Sequence, residues 1–413
     1  MDAERATMRI LYIHQYFVTP SESAATRSYW FARELVQRGH DVTVLTTDFR
    51  DAAAPARAVR MVDGIRVVYF RGAYDNNMGI AKRLEAFARF MASGTWEALR
   101  ARGIDLVYAT STPLTVGFPA LVMRALRGVP YVFEVRDLWP EFPVQMGAVQ
   151  NPALIGALRL FERHIYRRAA HIVALSPGMV AGVESAGVSP EKVTLIPNMS
   201  KPDQFFPREG EADVAARFDM KEPRFRAVHF GSMGRANGLG YLIDAARVLH
   251  QRGESDIEVV FVGAGATENR LKKSVAEHGL SNVRFLGYHA TEDTSSIVNL
   301  CDASIVSFMN LPILATNSPN KLFDSLAAGK PVIVNSPGWT RDLVEQEECG
   351  VYVDARQPEQ LADALCSLRD DQGLRERLGA RARELALQRF DRKDLASELA
   401  DLLERSLSAQ RGR

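Results

Sequence analysis

The chain has 413 residues, 46% of them hydrophobic and 24% charged, a globular composition with enough material for two or three cores and too much for one small binding module. Lys plus Arg number 51 against 50 Asp plus Glu, so the net charge of +1 exerts no general pull on nucleic acid; residues 1–200 alone lean cationic, with 23 basic and 18 acidic side chains. Three cysteines without CxxC spacing, an acidic start (MDAERATMRI) and no apolar run near the ~20 residues of a membrane span give the expectation of a cytoplasmic protein that does not cross a bilayer.

In chain order, short β-branched runs alternate with helical patterns: RILYIHQYF (9–17), DVTVLTT (41–47), IRVVYF (65–70), DLVYAT (105–110), YVFEV (131–135), HIVAL (171–175) and VTLIP (193–197). Continuous apolar strands between helices indicate a parallel sheet covered on both faces. The alternation breaks over 198–224 and restarts with FRAVHFGSM (225–233), IEVVFVG (257–263), VRFLG (283–287), ASIVSF (303–308), PVIVN (331–335) and GVYVD (350–354). The expected architecture is α/β, with two doubly wound parallel-sheet domains and an interdomain cleft at the carboxyl ends of their strands. The domains are expected at 1–205 and 206–385, with a last helical stretch, about 372–409, whose end (386–413) returns to the first domain.

In the first half, the amphipathic helix TRSYWFARELVQRGHDV (26–42) begins with Thr26 and Arg27, expected to face the cleft, while Trp30 is expected in the core. The segment 77–103 interleaves Lys82, Arg83, Arg89, Arg100 and Arg102 with Ile80, Leu84, Phe87, Phe90, Met91 and Trp96; such a helix can lie on an anionic membrane or pack as the core face of a domain. YVFEVRDLWPEFP (131–143) ends a buried strand with Glu134, Arg136 and Asp137, charges aimed into the cleft or paired among themselves. His14, His40 and His164 stand isolated and read as structural.

In the second half, FGSMGRANGLG places Gly231, Gly234 and Gly238 in a turn entering a helix, where backbone N–H groups can approach a diphosphate or simply close a tight turn. FVGAGATENR repeats the design with Gly263 and Gly265, but Glu268 replaces the third glycine of a dinucleotide fingerprint. In ATNSPNKLFDSLAAGKPVIV (315–334), Ser318, Asn320 and Lys321 gather at a helix N-terminus, with Asp324 one turn inside and able to meet ribose hydroxyls; the structural alternative makes Ser318 the N-cap and Pro319 the first helical residue. No Asp-x-Asp occurs, so a metal-bridged diphosphate is not indicated.

With these pieces in family order, HQYFVTP…TRSYWFARELVQRGHDVTVLTT, EVRDLWPE, FERHIYRRAAHIVALSPGM, VTLIPN, FVGAGATENRL, VRFLGY and SPNKLFDSLAAGKPVIV, the chain resembles the family 4 retaining glycosyltransferases of the GT-B fold, in the branch that builds exopolysaccharide, capsule and O-antigen. The resemblance implies two facing Rossmann-like domains, a UDP- or GDP-linked sugar as donor in the C-terminal one, and an acceptor in the N-terminal one. It places Thr316 and Asp324 at the two positions of the family's Glu-x7-Glu motif, and Ser232 and Asn237 where many members carry an Arg and a Lys. Arg235 and Lys321 are left as phosphate cations, with backbone amides of Asn317 and the Ser318–Lys321 loop near the sugar. Gly231, Gly263 and Tyr288 join the donor-binding set, Thr26 and Arg27 the acceptor side behind Ala24-Ala25, and Arg136 stands where many members have a cleft His. The implied reaction is front-face substitution without metal or other cofactor: Arg136, Asp137, Arg235 and Lys321 serve the chemistry, and the leaving phosphate takes the acceptor proton. The implied acceptor is a polyprenyl-diphosphate-linked glycan at the inner membrane face. A sugar-nucleotide 2-epimerase of the same fold and a catalytically lapsed binding subunit are the alternatives.

Overall fold

The computed structural model describes residues 7–20, 22, 26–49, 55–72, 79–208 and 212–411, and it divides into two compact units, Met1–Pro197 with Lys393–Arg413 and Asn198–Arg392. In the first, β1 (Arg9–Ile13), β2 (Asp41–Asp48), β3 (Arg57–Val62), β4 (Ile65–Arg71), β5 (Leu106–Thr110), β6 (Tyr131–Val135), β7 (His171–Ala174) and β8 (Val193–Leu195) form one sheet in the order β3-β4-β2-β1-β5-β6-β7-β8. All neighbours are parallel except β3, which pairs antiparallel with β4 through a turn at Asp63-Gly64, both at positive φ. Its residues RAVRMV lie on an exposed edge, so hydrophobic continuity gave no sign of it.

The second unit carries β9 (Phe225–Phe230), β10 (Ile257–Val262), β11 (Val283–Gly287), β12 (Ala303–Val306), β13 (Val332–Val334) and β14 (Gly350–Tyr352) in the order β11-β10-β9-β12-β13-β14, all parallel. Strands β9, β10, β12 and β13 are buried along their whole length, and Leu242, Leu249, Leu365 and Leu368 cover one face. Strand order reverses between β1 and β5 in the first sheet and between β9 and β12 in the second; in open α/β sheets these are the places where ligands bind.

The units divide at 197/198 and 392/393 rather than at 205/206 and 385/386, because Asn198 and Ser200 are tied to the second unit. The Asn198 amide donates to the Ser318 carbonyl, while Ser200 donates its N–H to the Phe390 carbonyl and its hydroxyl to that of Ala386 at 2.8 Å. A strand-like bridge between Ser200 and Asp391 also splits the expected single last helix into Gln372–Gln388 and Arg392–Arg411. The latter packs in the first unit: Arg38 donates to Ser397 O at 3.1 Å, and His40 Nε2 lies 3.2 Å from Glu404. No helix among the described residues is long and apolar enough to cross a membrane.

Arg27, expected on a cleft-facing surface, is instead 2% exposed inside the first unit. Its Nε donates to Glu134 at 2.9 Å, Nη2 to Ile196 O at 2.8 Å and Nη1 to Pro197 O, and its guanidinium lies 4.4 Å from the Phe31 ring centroid. Glu134 also accepts from Tyr108 at 2.8 Å and Thr110 at 2.6 Å. Burial alone would raise the Glu134 pKa, but the Arg27 and Arg136 guanidinium groups and the Thr110 hydroxyl outweigh it and hold the carboxyl below its ordinary value. Removing one partner leaves a buried charge uncompensated. Arg27→Met or Glu134→Ala is therefore expected to cost about 3–5 kcal/mol in denaturant unfolding followed by tryptophan fluorescence, whereas Arg27→Met with Glu134→Leu regains most of the loss; equal losses in single and double variants would contradict the pairing.

Candidate functional site

At the β9/β12 switch point the second unit assembles a cationic site. Lys321 sits in the first turn of the helix Asn320–Ala327, whose leading N–H groups lack partners within the helix. Its Nζ lies 3.0 Å from His229 Nε2 and donates to Asn237 Oδ1 at 3.4 Å, and its methylene chain passes Gly231, 3.8 Å from the place a β-carbon would take. The His229 Nδ1 faces Ile305 O at 3.1 Å, and a carbonyl only accepts, so Nδ1 carries the proton and Nε2 receives the one from Lys321. Burial, then Lys321, keeps His229 neutral, and burial brings Lys321 down to about 7.

The glycines around this site are required by the fold before any ligand arrives. Gly263 has φ +132, and a β-carbon there would meet Gly231 O at 2.0 Å; one at Gly265 would meet the Met233 backbone at 2.7 Å. Arg235 stands exposed on the 3-10 turn Arg235–Asn237, and Asn237 donates to Ser232 O at 2.7 Å. Tyr288 is 63% exposed just past β11.

Along the 315–324 loop several residues turn inward. Ser318 is buried, its hydroxyl accepting from Asn198 N at 3.4 Å, and it is not the helix N-cap; Pro319 holds that position without a side-chain cap. The Asn317 amide is not free for a ligand, because it donates to Leu314 O at 3.2 Å, and its carbonyl accepts from Trp339. Thr316 donates to Ile313 O at 2.8 Å. Asp324 is buried with one carboxylate oxygen 3.1 Å from Lys201 Nζ and the other without a hydrogen-bond partner; burial raises its pKa while Lys201 lowers it. Lys201 and His229 escaped the sequence reading, although a histidine inside the apolar strand FRAVHF was its visible sign.

In the first unit, polar groups collect past β1, β5 and β6. Arg136 Nη1 lies 3.2 Å from His14 Nε2, and its own N–H donates to Ser111 at 2.9 Å. An arginine only donates, so the His14 proton is on Nδ1, which is buried without a partner, as are both polar atoms of the Gln15 amide. His14, read as structural from sequence, thus belongs to this group, and burial with Arg136 keeps it neutral. Arg136 pairs with neither Glu134 nor Asp137; Asp137 accepts from Thr112 at 2.9 Å, and desolvation pushes its carboxyl up to about 6 against the pull of Thr112 and Arg136. Beside this group a cavity of about 290 Å³ is lined by Gln15, Thr47, Arg71, Lys82, Glu85 and Arg89, the last two paired at 2.8 Å. Thr26 is also buried, its hydroxyl accepting from Trp30 Nε1 at 3.1 Å; Ala24-Ala25 and residues 77–78 lie outside the described residues.

Residues 24–199 match the profile of a glycosyl transferase 4-like domain, and residues 214–385 that of glycosyl transferases group 1. The probable glycosyltransferase WbjE of Pseudomonas aeruginosa is 26% identical over 241 residues, 57% of this chain and 58% of that protein. The lipopolysaccharide core biosynthesis glycosyltransferase LpsD of Rhizobium meliloti is 28% identical over 262 residues, 62% of this chain and 70% of that one. Among solved structures, sucrose-phosphate synthase of Thermosynechococcus elongatus superposes with a TM-score of 0.79 over 97% of this chain and all of that one at 18% identity. Anabaena HepE in complex with UDP-glucose gives 0.71 over 96% of this chain and all of that one at 19% identity. At such identities the likeness is one of fold.

An anion entering the Lys321 site favours the ammonium over the amine. Affinity for inorganic diphosphate there is expected to fall as pH rises above about 7, and Lys321→Met to flatten that dependence, read by calorimetry in buffers of different ionisation enthalpy. An unchanged pH dependence in the variant would remove Lys321 from anion binding.

Proposed function

The chain belongs to the family 4 glycosyltransferases of the GT-B fold, and we propose that it moves a sugar, with retention at the anomeric carbon, from a UDP- or GDP-linked donor to a hydroxyl of a lipid-linked glycan during bacterial surface polysaccharide assembly. The observation that carries this reading is the Lys321–His229–Asn237 cluster at the β9/β12 switch point, a preorganised place for negative charge growing on a leaving diphosphate. HepE, of the same fold, was solved with UDP-glucose, and LpsD acts in lipopolysaccharide core biosynthesis.

In this reading Lys321, Arg235 and the first amides of the helix Asn320–Ala327 hold the diphosphate without a metal, as front-face departure asks. The unpartnered Asp324 oxygen receives a ribose hydroxyl, and Tyr288 offers its exposed ring to the base. On the first unit, the cavity beside Gln15 takes the acceptor's phosphoryl group through Arg71 and Lys82, Arg89 being paired with Glu85. Arg136 adds charge toward the leaving group, Asp137 orients the acceptor hydroxyl, and the leaving phosphate takes that hydroxyl's proton, so no separate base is needed.

Incubation with sugar nucleotides, with and without a polyprenyl-diphosphate-linked glycan, is expected to give acceptor-dependent nucleotide release, a retained anomer and a rate unchanged by EDTA. Lys321→Ala and Arg235→Ala are each expected to weaken nucleoside-diphosphate binding by about 1.5–3 kcal/mol. Acceptor-free isomerisation would instead identify an epimerase, and silence in both arms a lapsed subunit.

The same reading has the acceptor met at an anionic membrane surface. The helix Ile80–Arg100 buries Phe90 but exposes Trp96 at 64% in one stripe with Lys82 and Arg89, so one face serves the core and another is available to a bilayer. Co-sedimentation with anionic liposomes is expected to decline with salt and on Lys82→Glu, Arg83→Glu and Arg89→Glu together; equal recovery with neutral and anionic liposomes would sink the membrane contact.

A further inference from the structure

At the amino ends of the strands of the first sheet, away from the groups just described, lies a second and larger cavity of about 620 Å³. Arg124, Arg167, Arg168, Lys192 and Arg405 line it, with Glu191 as the only carboxylate among its lining residues. They come from separate elements. Arg124 lies on the helix Gly117–Arg127, Arg167 and Arg168 end the helix Pro152–Arg168, Lys192 closes the turn before β8, and Arg405 lies on the helix Arg392–Arg411.

Among the described residues, no salt bridge reaches Arg167, Arg168, Lys192 or Arg405, and Arg124 donates only to Gly128 O, at 3.1 Å. Glu191 is engaged by the Ser189 hydroxyl. The wall between β7 and β8 is polar, His171 Nε2 lying 2.8 Å from Thr194 Oγ1. Burial first, and then the nearby Arg405 and Lys192, lower the His171 pKa. The helix C-terminus accounts for Arg167 and Arg168 on its own. It does not account for Lys192 and Arg405 converging on them from two other elements, where like charges without a salt bridge repel.

We propose that this cavity is a binding site for a small anion carrying two or more phosphoryl groups. Five cations against one carboxylate leave room for about four negative charges, and the guanidinium forks suit phosphate oxygens in pairs. The site is separate from the Lys321 cluster and uses none of its residues. The same chemistry is offered by a free diphosphate and by a phosphorylated lipid headgroup.

The test is calorimetry of the full chain with inorganic diphosphate. Uptake at this cavity is expected to survive Lys321→Met and to weaken about tenfold or more in Arg168→Ser/Arg405→Ser, and to fall as salt is raised. Should that double variant fold poorly by circular dichroism, Arg405→Gln alone, at an exposed helix position, is expected to weaken the same uptake. In a parallel arm, phosphatidylcholine vesicles with and without phosphatidic acid are sedimented with the chain. Diphosphate uptake without vesicle capture assigns a soluble ligand, and capture that requires phosphatidic acid, Arg168 and Arg405 assigns a headgroup. If Lys321→Met removes all diphosphate uptake and vesicle capture ignores Arg168 and Arg405, the proposal is overturned.

Discussion

A strand covered by helices on both faces can carry a polar side chain only where a partner is built in beside it. In this chain that constraint sorts the polar residues into two kinds. Glu134 within β6, His229 within β9 and the Arg226–Glu258 pair across β9 and β10 are among the inward ones, and each is satisfied: Glu134 by Arg27, Tyr108 and Thr110, His229 by the Ile305 carbonyl and Lys321, and Glu258 by Arg226 at 2.9 Å. His14, Arg136, Asp137, Gly231 and Asn237 follow the carboxyl ends of their strands. Both switch points thus gather polar groups where the buried strands end.

The same constraint decides what could be read from the sequence. Thirteen of the fourteen strands stand out as apolar runs, whereas β3 hides because it is an exposed edge whose only local mark is Asp63-Gly64. Lys321 and Asp324 were legible because a helix start after a strand is a local pattern. Arg27 was misplaced because its direction is set by Glu134, 107 residues away, and no helical wheel contains that information. Ser318 was assigned to its own helix, yet it accepts from Asn198, 120 residues earlier. The break at 389–391 has a similar origin, since Ser200 supplies the bridge that interrupts an otherwise helical pattern.

Burial also tunes the two clusters from opposite directions. It raises Asp137 to about 6 and lowers Lys321 to about 7, so both groups change charge within reach of neutral pH. His14 and His229 are kept neutral and act as fixed partners, each accepting through Nε2. The amino-end cavity of the first unit differs in kind, since Arg167, Arg168 and Arg405 are exposed and line a concavity that water reaches.

The Ser200 clasp on Ala386 and Phe390 brings the two ends of the second unit together, which makes that unit one uninterrupted segment of chain. The first unit is interrupted: it encloses that segment in sequence and draws its helix Arg392–Arg411 from beyond it. On a ribosome the second unit therefore has all its parts before the first one does. Arg38 and His40, made early, wait through some 360 residues of synthesis for Ser397 and Glu404. The half of the chain that is made first is the half that is finished last.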